Sequence, residues 1–323
     1  MDRRNPAAHA PTLASALAFL AIAVAIWIAL VAGAERLACR NGHTNPLFKV
    51  ESAGPAYDWV ILGASHAMPL DFDDFNGEMQ RETGLRILNL AGPGVGPLYN
   101  RFVLEHFLAG RTTRNVLYVV DAFAFRSPAW NEDRFSDPGL LARTPLDAAL
   151  ATRLAAYVRD ERVDVRALLA YATGFALLND RTRFAVDRWE GEAQFDRVFR
   201  PSASAERKRV DYLYPPVGDE AALRDRYLST LGRLVKLARA KGATVTLAKF
   251  PLPPRFRALL PGEAEFDAAI AGFAAAHAVP FRDFTAAIGD GAFYADTDHL
   301  NRAGVRKLFQ GNLRQLLMPP AAP

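Results

Sequence analysis

Residues 13–34 are 22 consecutive positions with no charge and Ser15 as the one polar side chain, and no other feature constrains the chain as much. As an α-helix the run would be roughly 33 Å long, matching the ~30 Å hydrocarbon core of a bilayer. A soluble core helix of that length would show one polar face, and this run shows none. Two membrane readings stand: a permanent anchor and a cleaved signal peptide. A signal peptide has an apolar region of about 7–15 residues, so length favours the anchor, although Ala32-Gly33-Ala34 supplies small residues at which cleavage can occur. Arg3 and Arg4 precede the run, and cytoplasmic flanks favour Arg and Lys. The expected organisation is a cytoplasmic tail at 1–12, a transmembrane anchor at 13–34, a breaker-rich linker at 35–56 and one domain at 57–318. That makes a single-pass protein of the inner (cytoplasmic) membrane, with its domain on the periplasmic or extracytoplasmic side.

The charges exclude some partners. The 39 Lys and Arg are interspersed with 35 Asp and Glu, giving a formal net charge of +4. A nucleic-acid binder gathers its basic residues, whereas the nearest cluster here, Arg207-Lys208-Arg209, is flanked by Glu206 and Asp211. No nucleic acid is expected as a partner. Six scattered His and one Cys lack zinc-ligand spacing, and no Gly-Lys-Ser/Thr follows Gly92, Gly94 and Gly96. Neither a metal nor a cofactor is expected. Cys39 has no second cysteine to pair with, and Glu35 and Arg36 interrupt the apolar run just before it, which speaks against lipid attachment.

Past the linker, Trp59-Val60-Ile61-Leu62-Gly63 is a short continuous apolar run ending in glycine. Such runs suit strands buried on both faces of a parallel sheet. Similar runs recur at 86–90, 116–120 and 244–248, with a weaker one at 279–281. Helical patterns at 98–108, 220–240 and 266–276 lie between them. Alternation of this kind implies βαβ units, and hence an α/β three-layer sandwich on a parallel sheet of about five strands. The exception is 122–219, where helical patterns at 146–159 and 166–178 suggest a helical insert or lid.

Open parallel sheets carry their reactive groups at the carboxyl ends of the strands. The first strand ends in Gly63-Ala64-Ser65-His66, the second in Asn89-Leu90-Ala91-Gly92-Pro93-Gly94-Val95-Gly96 and the third in Asp121. Near the C-terminus lies Asp296-Thr297-Asp298-His299-Leu300-Asn301-Arg302-Ala303-Gly304. A serine hydroxyl is a weak nucleophile until a base accepts its proton, and histidine does so best when a carboxylate orients it. Asp296 precedes His299 by three residues, a spacing that a tight turn can close onto the imidazole. The glycines after the second strand let backbone N–H groups approach a developing oxyanion. His66 follows the serine directly; neighbours on extended chain point in opposite directions, so it is expected to pack or to bind substrate.

In this arrangement the chain resembles the SGNH (GDSL-like) hydrolases. Gly63-Ala64-Ser65 looks like the block that carries the family's nucleophile. Asn89 with Gly94 is similar to its second block, and Asp296, His299, Asn301 and Gly304 to its last; Lys249-Phe250-Pro251-Leu252-Pro253-Pro254 is also similar. The resemblance covers 57–121 and 220–318. It implies a flavodoxin-like SGNH sheet, Ser65, His299 and Asp296 as catalytic residues, and the N–H groups of Ser65 and Gly94 as the oxyanion hole. His66, Asp121 and Asn301 are the further residues expected near substrate.

One block departs. The family usually has an Asn after the third strand, whose amide donates to the oxyanion; this chain reads Val119-Val120-Asp121-Ala122-Phe123. An ionised carboxylate cannot donate and would repel the oxyanion. Either Asp121 points elsewhere, Asn131 replaces the amide, or the hole relies on backbone N–H groups. Losing one such donor typically costs about 10²–10³ in rate. An anchor joined to an external domain with a divergent third block resembles the accessory proteins of envelope-polymer acylation, such as the alginate O-acetylation proteins and the D-alanyl lipoteichoic acid transfer protein. By that resemblance the substrate is an acylated glycan or other ester, the chemistry is that of an esterase or O-acyltransferase, and a membrane-bound O-acyltransferase is a candidate partner. The alternative is an inactive scaffold that binds a glycan or that acyltransferase.

Overall fold

Strands form where an apolar side chain finds a hydrophobic layer on either face. A computed structural model describes residues 13–40, 44–141, 143–180 and 188–318. The expected tail with Arg3, Arg4 and His9 lies outside the described residues, as does His43.

The chain begins with α1 (Leu13–Arg40), which is long and apolar enough over Leu13–Leu37 to cross a membrane and is almost wholly exposed there. It continues past residue 34, so the first part of the expected linker is helical. The rest of that linker contains α2 (Pro46–Ser52). Asn45-Pro46, which suggests a turn, instead starts this helix: Asn45 Oδ1 accepts the N–H of Leu47 at 2.8 Å and of Phe48 at 3.2 Å, and Pro46 sits where no N–H is needed. Leu47 and Val50 are fully buried, so this segment belongs to the core.

Then follow β1 (Ala56–Leu62), α3 (Phe75–Thr83), β2 (Ile87–Asn89), α4 (Pro97–Gly110) and β3 (Thr112–Val119). Between β3 and the next strand stand α5 (Pro138–Leu141), α6 (Ala148–Asp160), α7 (Val165–Ala172), α8 (Phe175–Asn179), α9 (Ala203–Leu213) and α10 (Glu220–Ala240). The chain closes with β4 (Thr244–Lys249), α11 (Pro254–Arg257), α12 (Glu263–Ala276), β5 (Phe281–Asp283), α13 (Arg302–Leu308) and α14 (Arg314–Leu317).

The five strands are parallel in the order β2-β1-β3-β4-β5, the flavodoxin-like arrangement. Alternate residues of each strand serve opposite layers. Val60, Leu62, Val116, Tyr118 and Leu247 face α2, α4, α10 and α12, while Trp59, Ile61, Leu117, Val119 and Ala248 face α3, α13 and α14. Each large side chain so buried contributes about 1.5–3 kcal/mol. The result is an α/β three-layer sandwich. Helices between β3 and β4 extend the α4 side: Phe102 meets Phe135 and Tyr157 edge-on, with ring centroids 5.1 and 5.0 Å apart. Since β2 and β3 lie on opposite sides of β1, the order reverses there, and a crevice opens at the carboxyl ends of β1 and β3.

Candidate active site

Ser65 owes its position to Gly63. That glycine has φ +145°, and a Cβ on it would lie 2.9 Å from both the Cβ and the carbonyl oxygen of Val119. Only glycine lets β1 end this close to β3 and swing the chain off the sheet edge. Asn100 Oδ1 accepts the Gly63 N–H at 3.1 Å and fixes the turn. Ser65 then reaches the crevice, and its hydroxyl lies 2.8 Å from His299 Nε2.

His299 sits on a tight hairpin. Tyr294 and Leu300 form an antiparallel bridge, and the Ala295 N–H donates to the His299 carbonyl at 2.8 Å. Asp296 Oδ1 accepts the N–H of Asp298 at 3.0 Å and of His299 at 2.8 Å. The same carboxylate meets His299 Nδ1, with both oxygens at 2.9 Å. A proton on Nδ1 facing Asp296 leaves Nε2 as the acceptor for the Ser65 hydroxyl. Burial pushes the Asp296 carboxyl up, but the charge and hydrogen bond of His299 outweigh it and leave the group below its ordinary value.

Asn301, expected near substrate, does another job. It is 2% exposed; its Oδ1 caps α13 by accepting the Gly304 N–H at 3.0 Å, and its amide donates to the carbonyls of Arg197 and Ala292 at 3.1 and 2.9 Å. No donor remains for a ligand. Asn131 is likewise consumed: its Oδ1 accepts from Leu98, its amide donates to Ala124 and Ser127, and it is fully buried. It cannot replace the missing amide.

Asp121 and His66 turn inward together. Asp121 Oδ1 lies 2.5 Å from His66 Nδ1, and Asp298 Oδ2 lies 3.2 Å from His66 Nε2. Arg209 clamps Asp298 through Nε and Nη2 at 2.8–3.0 Å. Burial pushes the His66 imidazole down, yet Asp121 and Asp298 push it further the other way, up to about 10. His66 is therefore an imidazolium at neutral pH, its ring 5.0 Å from that of His299. Burial alone would raise Asp298; Arg209, His299 and His66 hold it well below the usual carboxylate range. Neither Asp298 nor Arg209 was expected at the site. The signal was faint: Arg209 lies in a charge run that suggests a solvated face, and Asp298 stands beside the more conspicuous Asp296.

Asn89 shapes the site from below, donating to the Ala67 carbonyl at 2.9 Å and accepting the Ala91 N–H at 3.0 Å. Gly94 has φ +57°, and a Cβ on it would strike the Trp130 ring at 2.7 Å. Among the described residues, neither the Ser65 nor the Gly94 N–H is taken up by a backbone carbonyl. Both residues line a cavity of about 410 Å³ with Asp296 and His299, and the insert adds Trp189, Arg209 and Tyr212 to its wall. His66, Asp298 and His299 place ligand atoms within 4.8 Å of one another, but the Arg209 clamp and the imidazolium charge make that spot unfavourable for a cation.

No protein-family model matches the chain, and no curated protein matches it in sequence. Solved structures do match. A GDSL-like lipase of Bacteroides thetaiotaomicron is 10% identical with a TM-score of 0.43, covering 83% of this chain and 93% of its own. A Bacteroides fragilis chain described as an acylhydrolase is 10% identical with a TM-score of 0.42, covering 84% and 95%.

Proposed function

We propose that the protein is a serine-dependent acyl hydrolase or O-acyltransferase of the SGNH type, held on the outer face of the cytoplasmic membrane by α1. The 2.8 Å contact between Ser65 Oγ and His299 Nε2, which joins residues 234 positions apart, carries the reading. Ser65 attacks the ester carbonyl while its proton passes to Nε2. The N–H groups of Ser65 and Gly94 hold the oxyanion, and Asp296 steadies the imidazolium. Collapse expels the alcohol, which takes the proton from His299 and leaves the acyl group on Ser65. A second hydroxyl (water in an esterase, a sugar hydroxyl in a transferase) then gives its proton to His299 and attacks the acyl carbon, and collapse breaks the bond to Ser65 Oγ, which takes that proton back from Nε2 and frees the acid or the new ester.

The substrate class is an acylated cell-envelope glycan or polymer. Trp189 and Tyr212 give the cavity wall an aromatic character that suits a sugar ring, and anchoring keeps the domain beside such material. A second reading, a scaffold for a membrane-bound O-acyltransferase, draws on Asp121: its carboxylate is committed to His66, and among the described residues no side-chain amide takes the place the family uses for the oxyanion. Labelling with a fluorophosphonate separates them. The wild type should label, while Ser65→Ala and His299→Ala should not. Label retained in Ser65→Ala ends the nucleophile assignment; an unlabelled wild type that recovers an acyltransferase from membranes favours the scaffold.

A further inference from the structure

The outer end of α1 is not bare. Trp27 donates its Nε1–H to the Thr173 carbonyl at 2.7 Å, Val31 and Ala34 are buried against Leu177, and Glu35 accepts the Leu146 N–H at 2.8 Å. The anchor is thus clasped by the α7–α8 hairpin. Glu35 is the first charge after the apolar run and stays at the aqueous level; Trp27 lies eight residues earlier, or about 12 Å deeper along a helix normal to the bilayer. Thr173 is drawn to the same depth, where a backbone carbonyl needs an internal donor.

The hairpin is built for such a place. Asp164 caps α7, whose inner face buries Ala167 and Tyr171. Its outer face shows Val165 and Leu169, one turn apart and 51% and 57% exposed, with Phe175 of α8 at 50%. These apolar side chains belong to the hairpin that packs on α1, and the polar residues leading into it, Arg159, Asp160, Arg162, Asp164 and Arg166, include the pairs Arg159–Asp160 and Arg166–Asp164, a polar margin beside an apolar face as in an interfacial helix.

We infer that the α7–α8 hairpin is a second membrane contact, with Val165, Leu169 and Phe175 seated at the headgroup–acyl boundary of the outer leaflet. The inference rests on the reading of α1 as an anchor. A hairpin held in this way fixes the domain's tilt, since one helix alone would leave the domain free to swing.

The test uses full-length protein carrying Cys39→Ser in vesicles of phosphatidylcholine and phosphatidylglycerol. Single cysteines (Ile22→Cys, Leu169→Cys, Phe175→Cys or Leu259→Cys) each carry a nitrobenzoxadiazole probe. Leu259 is 48% exposed and serves as the aqueous control. Probes at 169 and 175 should be quenched by lipids brominated high on the acyl chain at least about twofold more than the probe at 259, and be shielded from iodide. Iodide-accessible probes at 169 and 175 beside a lipid-buried probe at 22 overturn this inference alone. An aqueous probe at 22 overturns the anchor and the inference with it. Shielding seen in native membranes but not in these vesicles assigns the face to a protein partner and also overturns it.

Discussion

His66→Gln should remove a pH dependence of stability that the wild type carries above neutral pH. The imidazole lies 2.5 Å from Asp121 and 3.2 Å from Asp298, and it is pushed up to about 10 from an ordinary 6.5. Because the folded value is the higher, its stabilisation is complete below pH 6.5 and disappears as pH rises through about 10. At 1.36 kcal/mol per pH unit, going from pH 7 to 10 should cost the wild type about 3–4 kcal/mol. Global stabilities are only about 5–15 kcal/mol, so the effect is large. Urea denaturation of the full-length protein in detergent micelles at pH 7, 8, 9 and 10 would read it. With a slope near 3 kcal/mol/M, the wild-type midpoint should fall by about 1 M. The variant starts lower, since two buried carboxylates lose their cation, but its midpoint should stay nearly level. A variant midpoint that falls as steeply as the wild type's would refute the imidazolium assignment.

Two further substitutions probe the relay and the hole. Asp296→Asn keeps the size of the side chain but removes the charge that orients His299, so the acylation rate should fall about 10²–10⁴-fold with little change in melting temperature; an unchanged rate would remove Asp296 from the mechanism. Gly94→Ala places a methyl against Trp130 at φ +57°, and should cost roughly 1–3 kcal/mol in thermal unfolding as well as slowing fluorophosphonate labelling; wild-type labelling with wild-type stability would exclude Gly94 as a shaped donor.

How much of this was legible depends on the range of the interactions. The strands could be read because burial on both faces writes a continuous apolar run, as at Trp59–Leu62 in β1. Their ends could not: β1 begins at Ala56, paired with Thr112 by backbone hydrogen bonding rather than by hydrophobicity. Asp296 and His299 could be grouped because a three-residue turn joins them, and Ser65 because it follows a strand. The Arg209–Asp298–His66–Asp121 chain could not, for its links span 89, 232 and 55 residues. The helix at Pro46–Ser52 was hidden by a chemical ambiguity, since Asn followed by Pro serves a turn and a helix start equally well.

The Asp121 problem then changes character. Taken alone, a carboxylate after β3 threatens the oxyanion; in the folded chain it is one of four charges, Asp121 and Asp298 against His66 and Arg209, that sum to zero beneath the Ser65–His299 pair. Pairing with His66 weakens the field of Asp121 at the developing negative charge, compared with an isolated carboxylate. What is missing is one donor, and a missing donor slows a reaction without abolishing it. Were the substrate the proposed polymer, confined with the domain to one membrane face, high effective concentration would offset a modest rate constant. On the proposed function, such a site would act on an envelope polymer while turning over small soluble esters slowly, and the fluorophosphonate, which needs only the serine and its base, is the probe least sensitive to that loss.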